Sequence, residues 1–320
     1  MGSRHREIDV SGLRTYAAAA RSSKVSLSGF AKPPAAGRSF AEFAASLPRI
    51  LAGEELRQVV DVIADAHASR RAAVWCMGAH VIKCGLSPVV VSLMERGIIT
   101  ALAINGAGAI HDSELALLGA TSEDVESALA DGSFGMAEDT AVFLNSAART
   151  AMAEQMGFGE ALGRALANAP HAEYSVLAAG HRLGVPVTVH VAVGTDIVHM
   201  HPSADGAAIG DATMRDFRIL TAAMEGLSEG GVLLNVGSAV ILPEVALKAM
   251  AILSNLGRLR NFTGVNLDFL QHYRPTQQIV RRVRQLGGRG FALTGHHEIM
   301  LPLLAWWLCE RLDARGQARE

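Results

Sequence analysis

The sequence is poor in the residues and patterns that mark several large classes of protein. It holds three cysteines, Cys76, Cys84 and Cys309, too few and too unevenly spaced for a disulfide framework or a zinc knuckle. No apolar run approaches the roughly 20 residues of a membrane span, and no apolar segment of signal-peptide type follows the basic start. With 29 basic against 31 acidic residues, neither sign dominates enough to point to nucleic acid or an anionic membrane. The cluster RRVR at 281–284 is a local exception that reads as a solvated helix face. A strict GxGxxG with an acidic residue about twenty positions on is also missing, so the ordinary dinucleotide fingerprint is absent. These absences leave a cytoplasmic globular protein as the expectation, with Cys76 as a reduced core thiol.

What is present is an alternating pattern. Half of the 320 residues are hydrophobic and 19% are charged, enough apolar material for a large core. Short apolar runs at 72–78, 99–108, 186–194, 231–238, 262–269 and 289–295 read as strands. Helical stretches at 53–69, 87–96, 138–167, 171–183, 211–228, 243–256, 275–286 and 297–313 separate or flank them. Strands alternating with helices predict right-handed parallel crossovers. The expected fold is therefore α/β: a doubly wound, mainly parallel sheet of six or more strands with helices on both faces. Residues 1–50, broken by Pro33, Pro34 and Gly37, read as an irregular leader that wraps over another surface or a neighbouring subunit. Residues 51–320 read as one domain.

Chemistry-bearing residues gather where these strands end. The third run belongs to PVTVHVAVGTDIVHMHPSADGAAIGD, 186–211, which passes from a β-branched strand into a segment rich in glycine, aspartate and histidine. In an open α/β sheet, ligands bind at the carboxyl ends of strands. The corresponding ends elsewhere are Gly78-Ala79-His80, Asn105-Gly106-Ala107-Gly108 with His111-Asp112, Asn235-Val236-Gly237-Ser238, Asn266-Leu267-Asp268 with His272, and Thr294-Gly295-His296-His297-Glu298. Glycine at such turns lets backbone approach a ligand, and a following helix offers free N–H groups. Pooled on one edge, these ends would make a nucleotide-sized site.

The order of the motifs GAHVIKCG, NGAGAIHDSELALLG, PVTVHVAVGTDIVHMHPS, GGVLLNVGSAVILPE and ALTGHHEIMLPLLAWWL resembles the deoxyhypusine synthase family over roughly residues 50–310. The resemblance implies a Rossmann-like sheet, NAD as cofactor, a polyamine-like substrate and a homotetramer with sites between subunits. It implies that Gly78, Ala79, Gly106, Ala107, His111, Asp112, Gly237, Ser238 and Gly295 line an NAD pocket, with His80 in the same loop. It makes Asp196 a substrate-side carboxylate and puts Glu244 near the place of a substrate-facing histidine.

One departure bears on the reaction. The family passes through an imine on a lysine in a Gly-Lys motif after the fifth strand, and here that region, NLDFLQHYRPTQQIVRRVRQLGG, has none. The chain's four lysines are Lys24, Lys32, Lys83 and Lys248, and arginine cannot supply the amine nucleophile. Lys83 follows the first nucleotide loop and is read as a covalent nucleophile or a charged ligand contact.

The expected activity is therefore that of an NAD-dependent transferase or oxidoreductase. It takes hydride from a carbon bearing an amine, then transfers, eliminates or adds, without a lysine imine. Candidate bases are His111, His199, His201, His296 and His297. Asp196, Asp205, Glu244, Asp268 and Glu298 are candidate anchors for ammonium groups, and Tyr273 with Arg274 could close over substrate.

Bland roles stand beside these. His190 fits a satisfied core histidine, and His199 and His201 fit loop hydrogen bonding. Asp112, Asp205 and Asp211 fit helix caps or turns, and His296-His297-Glu298 fits a helix start. Two rival functions remain open: a metal-dependent hydrolase built on His190, His199 and His201 with Asp196 or Asp205, and a noncatalytic NAD-binding protein. Trp306 and Trp307 on the last helix suit a subunit contact.

Overall fold

A computed structural model describes residues 4–317; residues 1–3 of the expected leader and 318–320 lie outside the described residues. Six strands form one sheet: β1 (Ala73–Met77), β2 (Ala101–Asn105), β3 (Val187–His190), β4 (Val232–Val236), β5 (Thr263–Asp268) and β6 (Arg289–Thr294). Their order is β3-β2-β1-β4-β5-β6, and every pairing is parallel. This is the Rossmann-like order, whose direction of winding reverses between β1 and β4.

The central strands read as continuous apolar runs because both of their faces are covered. Successive residues point to opposite faces, so Trp75 and Met77 of β1 join one core with Leu102, Ile104, Leu234 and Val265. Val74 and Cys76 join the other with Ala103, Leu233, Leu242 and Ile279.

The helices that precede β3 are α1 (Phe40–Ser46), α2 (Leu51–Ala68), α3 (Ala79–Lys83), α4 (Ser87–Glu95), α5 (Gly106–Leu118), α6 (Val125–Asp131), α7 (Glu138–Glu154), α8 (Phe158–Leu166) and α9 (Val176–Leu183). After β3 come α10 (Gly206–Ala223), α11 (Ile241–Asn255), α12 (Tyr273–Pro275), α13 (Arg282–Gln285) and α14 (His297–Gln317). A π-helical stretch, Thr276–Arg281, joins α12 to α13. Among the described residues no helix is long and apolar enough to cross a membrane.

Three departures from the sequence pattern have local causes. The leader is not irregular throughout, because Ser39 and Glu42 form a reciprocal capping box that starts α1. The long helix expected at 138–167 is two helices: Gln155 adopts a left-handed conformation that ends α7, and α8 restarts beyond Gly157, which packs directly against the buried carboxylate of Asp216. The third expected strand stops at His190 instead of running to 194, because the next backbone N–H, that of Val191, donates to the Thr213 hydroxyl of α10 at 3.0 Å.

Candidate functional site

The carboxyl ends of all six strands share one rim, and the loops after β1 and β4 touch at its centre. A Cβ on Gly78 would lie 2.2 Å from the carbonyl oxygen of Gly237. Gly237 has φ +70°, and a Cβ there would meet the His297 ring at 2.7 Å. Both positions therefore require glycine, the first for close backbone approach and the second for that and its left-handed backbone. The same contact fixes the switch point between β1 and β4.

On the β1-β2-β3 side the rim opens into a cavity of about 260 Å³. Its walls carry Lys83 from α3, Ala107, His111 and Glu114 from α5, Glu123 from the loop before α6, and Asp196 from the loop after β3. The carboxylates are held by their own partners. Glu114 accepts from Thr140 and Thr121, and Glu123 accepts from the N–H of Gly135 at 2.9 Å.

Asp196 lies against the first turn of α5, so close that a Cβ on Gly106 would be 1.9 Å from its Oδ2. Burial holds the Asp196 carboxyl above the usual carboxylate range, an effect that His199 partly offsets. His111 Nδ1 pairs with the Thr121 hydroxyl at 2.7 Å. Burial, and then the charge of Lys83, keep this imidazole below its ordinary pKa and hence neutral near neutrality.

On the β4-β5-β6 side the rim is aromatic and imidazole-rich. Phe269 stacks on His296 with centroids 5.9 Å apart and meets His80 and His297 edge-on at 6.1 and 5.8 Å. His297 is fully buried, 3.7 Å from Asp268 Oδ1, and neither of its ring nitrogens has a hydrogen-bond partner. Burial lowers its pKa, against the opposing pull of Asp268 and of the neighbouring Leu267 backbone. Below these rings, Asn235 donates to Asn266 at 2.7 Å, Asn266 to Gln271 at 2.8 Å, and Gln271 to the carbonyl of Leu293 at 3.0 Å. This chain ties three strand ends together.

The structure thus brings Gly78, Ala79, His80, Gly237, Ser238, Asp268, Gly295, His296 and Glu298 to the rim around the switch point, and Lys83, Ala107, His111 and Asp196 to the cavity, with Gly106 beneath the Asp196 carboxylate. It spends other residues elsewhere. Asp112 is buried and accepts from Ser175 and from the N–H groups of Val176 and Leu177, so it caps α9; burial raises its pKa to about 6. Asp205 caps α10 through Ala207 and Ala208. Glu244 pairs with Lys248 and Arg274, which hold its pKa down at about 2. Tyr273 is 75% exposed.

His199 accepts from the N–H groups of Gly194 and Asp196, both at 3.2 Å, and so holds the β3 loop. His201 pairs with Ser203 and Glu138. His190 contacts Thr188 at 2.9 Å, and burial pushes its pKa down to about 3. Among the described residues these histidines do not join Asp196 or Asp205 in a three-ligand group. Glu114, Glu123 and Phe269 were not among the residues the sequence pattern singled out. The first two lie on and beyond a helix whose start the glycines disguise, and Phe269 reads as the last apolar residue of a strand. A further cavity of about 230 Å³ opens at the amino end of β3, away from the rim.

No family model and no curated protein matches the chain. Solved structures match at the level of fold. A ternary complex of AgrE with ornithine and NAD+ superposes with a TM-score of 0.53 and 13% identity, over 81% of this chain and 33% of that one. A candidate LOR/SDH protein from Methanococcus maripaludis S2 gives 0.48 and 15%, over 88% and 74%. A candidate deoxyhypusine synthase from Entamoeba histolytica gives 0.49 and 10%, over 85% and 93%. The chain spans about a third of the AgrE chain it matches. The class that the fold defines is Rossmann-like α/β.

Proposed function

We propose that the protein is an NAD-dependent enzyme that removes hydride from a small amine-bearing substrate of polyamine type and then transfers, eliminates or adds at the activated carbon. The observation that carries this reading is the acidic cavity beside the switch point, with Glu114, Glu123 and Asp196 on its walls. Carboxylates so placed suit ammonium groups of a substrate and hydroxyls of a ribose.

The residues present fit the nucleotide in one way and restrict it in another. The Asp196 carboxylate against Gly106 disfavours a phosphate at the start of α5, since like charges repel. The pyrophosphate would be held by the backbone of Gly78, Ala79, Gly237 and Ser238, where the chain approaches closely without side chains in the way. When bound, nicotinamide supplies the hydride acceptor. The chain's own part is to anchor the amine through Asp196, Glu114 and Glu123, and to take a proton on His111, whose neutral ring lines the cavity.

Lys83 is on the same wall and makes no ion pair among the described residues. It is proposed as a charged contact to the nucleotide. The homotetramer implied by the family resemblance stays part of the proposal, and exposed Ile8, Leu13, Tyr16 and Leu27 in the leader support a subunit contact there. The hydrolase reading loses the His199–His201 ligand pair on which it was built, because both rings make loop contacts.

The test is to mix purified protein with NAD+ and a panel of diamines and polyamines and follow reduced nicotinamide. Saturable binding with nicotinamide reduction is expected. Binding with no redox change for any amine would select the noncatalytic reading, and no binding would overturn the proposal. Borohydride treatment with substrate is expected to leave Lys83 unmodified, and a trapped adduct at Lys83 would restore the imine route.

A further inference from the structure

A second constellation lies at the rim outside the acidic cavity. His80 and Cys84 are four residues apart across the short helix α3, and the backbone N–H of Cys84 donates to the His80 carbonyl at 2.9 Å, which fixes their spacing. His80 Nε2 is 3.2 Å from Cys84 Sγ. Glu298, from the first turn of α14 and 214 positions further along the chain, brings Oε2 to 3.9 Å from the same sulfur. One donor atom from each residue falls within 4.8 Å of the other two.

Ligand distances of about 2.0–2.3 Å to a common ion require donors roughly 3 to 4 Å apart. The imidazole and thiol already meet that, and the exposed Glu298 side chain needs only a small rotation. The constellation also has support around it. His296 Nδ1 is 3.9 Å from Glu298 Oε1, with its ring held flat on Phe269. His297, fully buried with no hydrogen bond on either nitrogen, packs edge-on to His80 at 5.8 Å.

We infer that His80, Cys84 and Glu298 form a binding site for a divalent metal ion of borderline softness, Zn2+ in type. The donor set decides the class: a thiolate with an imidazole disfavours Mg2+ and Ca2+, while one nitrogen, one sulfur and one oxygen suit Zn2+, Co2+ or Fe2+. Three protein ligands leave coordination positions open to water or substrate, as in catalytic rather than structural sites. The inference is independent of nucleotide binding, and its test contains no nicotinamide.

Full-length, tag-free protein stripped of metal is titrated with Co2+. Saturation near one equivalent is expected, with a thiolate-to-cobalt charge-transfer band in the near ultraviolet and visible bands of tetrahedral strength, both displaced by Zn2+. Cys84→Ser removes the charge-transfer band, and Glu298→Gln and His80→Asn keep it while weakening Co2+ by more than the roughly 10- to 100-fold that loss of an outer-shell partner costs. Both of the latter positions are exposed, so those variants test the site even if Cys84→Ser fails to fold. Cys309→Ser leaves the band unchanged. A Co2+ titration without the charge-transfer band, or the same affinity in Glu298→Gln and His80→Asn, would overturn the inference and leave the His80–Cys84 contact as a hydrogen bond only.

Discussion

The two halves of the rim have opposite chemistry on one continuous scaffold. The β1-β2-β3 half is a cavity whose carboxylates are each positioned by a neighbour, as Glu114 is by Thr140 and Glu123 by Gly135. The β4-β5-β6 half, joined by His80 from α3, is a packed surface of rings, His80, Phe269, His296 and His297. The difference follows from what leaves each strand. After β2 the chain enters α5 at once, so its polar side chains project from a helix onto open space. After β5 and β6 it turns through Phe269 and His297, whose rings fill that space. Under the two proposals, the first half holds a cation or hydroxyl-rich group, and the second, through Glu298 together with His80 and Cys84 at α3, holds a metal ion.

The junction between the halves is where substitution costs most. Gly78→Ala forces a Cβ against the Gly237 carbonyl at 2.2 Å, and neither backbone can yield without parting β1 from β4. The expected loss is about 3 kcal/mol of stability, read as a lowered denaturation midpoint, together with both kinds of ligand binding. An unchanged midpoint would mean that the crevice is looser than described.

Asp216→Asn probes the support of the cavity half through pH. Asp216 is buried, accepts from the N–H groups of Gly159 and Val189, and burial raises its pKa to about 7. Because the folded state binds that proton more tightly than the unfolded chain, the stabilising contribution is full below pH about 4 and is lost as pH rises toward 7. Asparagine does not titrate, so the variant's stability relative to the parent is expected to rise by a few kcal/mol, at about 1.4 kcal/mol per pH unit, across that window. A pH-independent difference would contradict the assigned burial of the charge.

Smaller effects separate the halves. Asp196→Asn is expected to weaken diamine binding on the order of 10-fold, about 1.4 kcal/mol, and to flatten the gain in affinity that the parent shows as pH rises through the raised Asp196 pKa. The same change leaves Co2+ binding at His80, Cys84 and Glu298 unaffected. Tyr273→Ala, at a side chain 75% exposed, shifts stability by less than about 0.5 kcal/mol. A marked loss of substrate affinity would revive Tyr273 as a closing group.

All six strands were legible as apolar runs, because a sheet covered on both faces needs apolar side chains at nearly every position, as in β1 (AVWCM) and β4 (VLLNV). The helix α5 was not, since Gly106 and Gly108 read as a loop, whereas Asn105 caps the helix by accepting from the Gly108 N–H at 3.0 Å. Among the site residues, periodicity could find Gly78, Gly237 and Asp196 at strand ends. It could not separate Asp196, which faces the cavity, from Asp112 and Asp205, which cap helices, because all three follow the same local rule and only the tertiary neighbours differ. Glu114 and Glu123 carried no signal, being acidic residues on a helix and a loop like many others.

The central claim, that loops meeting at the β1-β4 switch point and the adjoining cavity hold a nicotinamide nucleotide, is tested most directly by calorimetric titration of NAD+ into the protein and into Ala107→Phe. Ala107 is half-buried on the cavity wall, so phenylalanine fills the space without entering the core. Saturable binding of NAD+ to the parent, lost in a variant of unchanged thermal stability, is the predicted result. No heat of binding to the parent, or equal binding to both proteins, would contradict it.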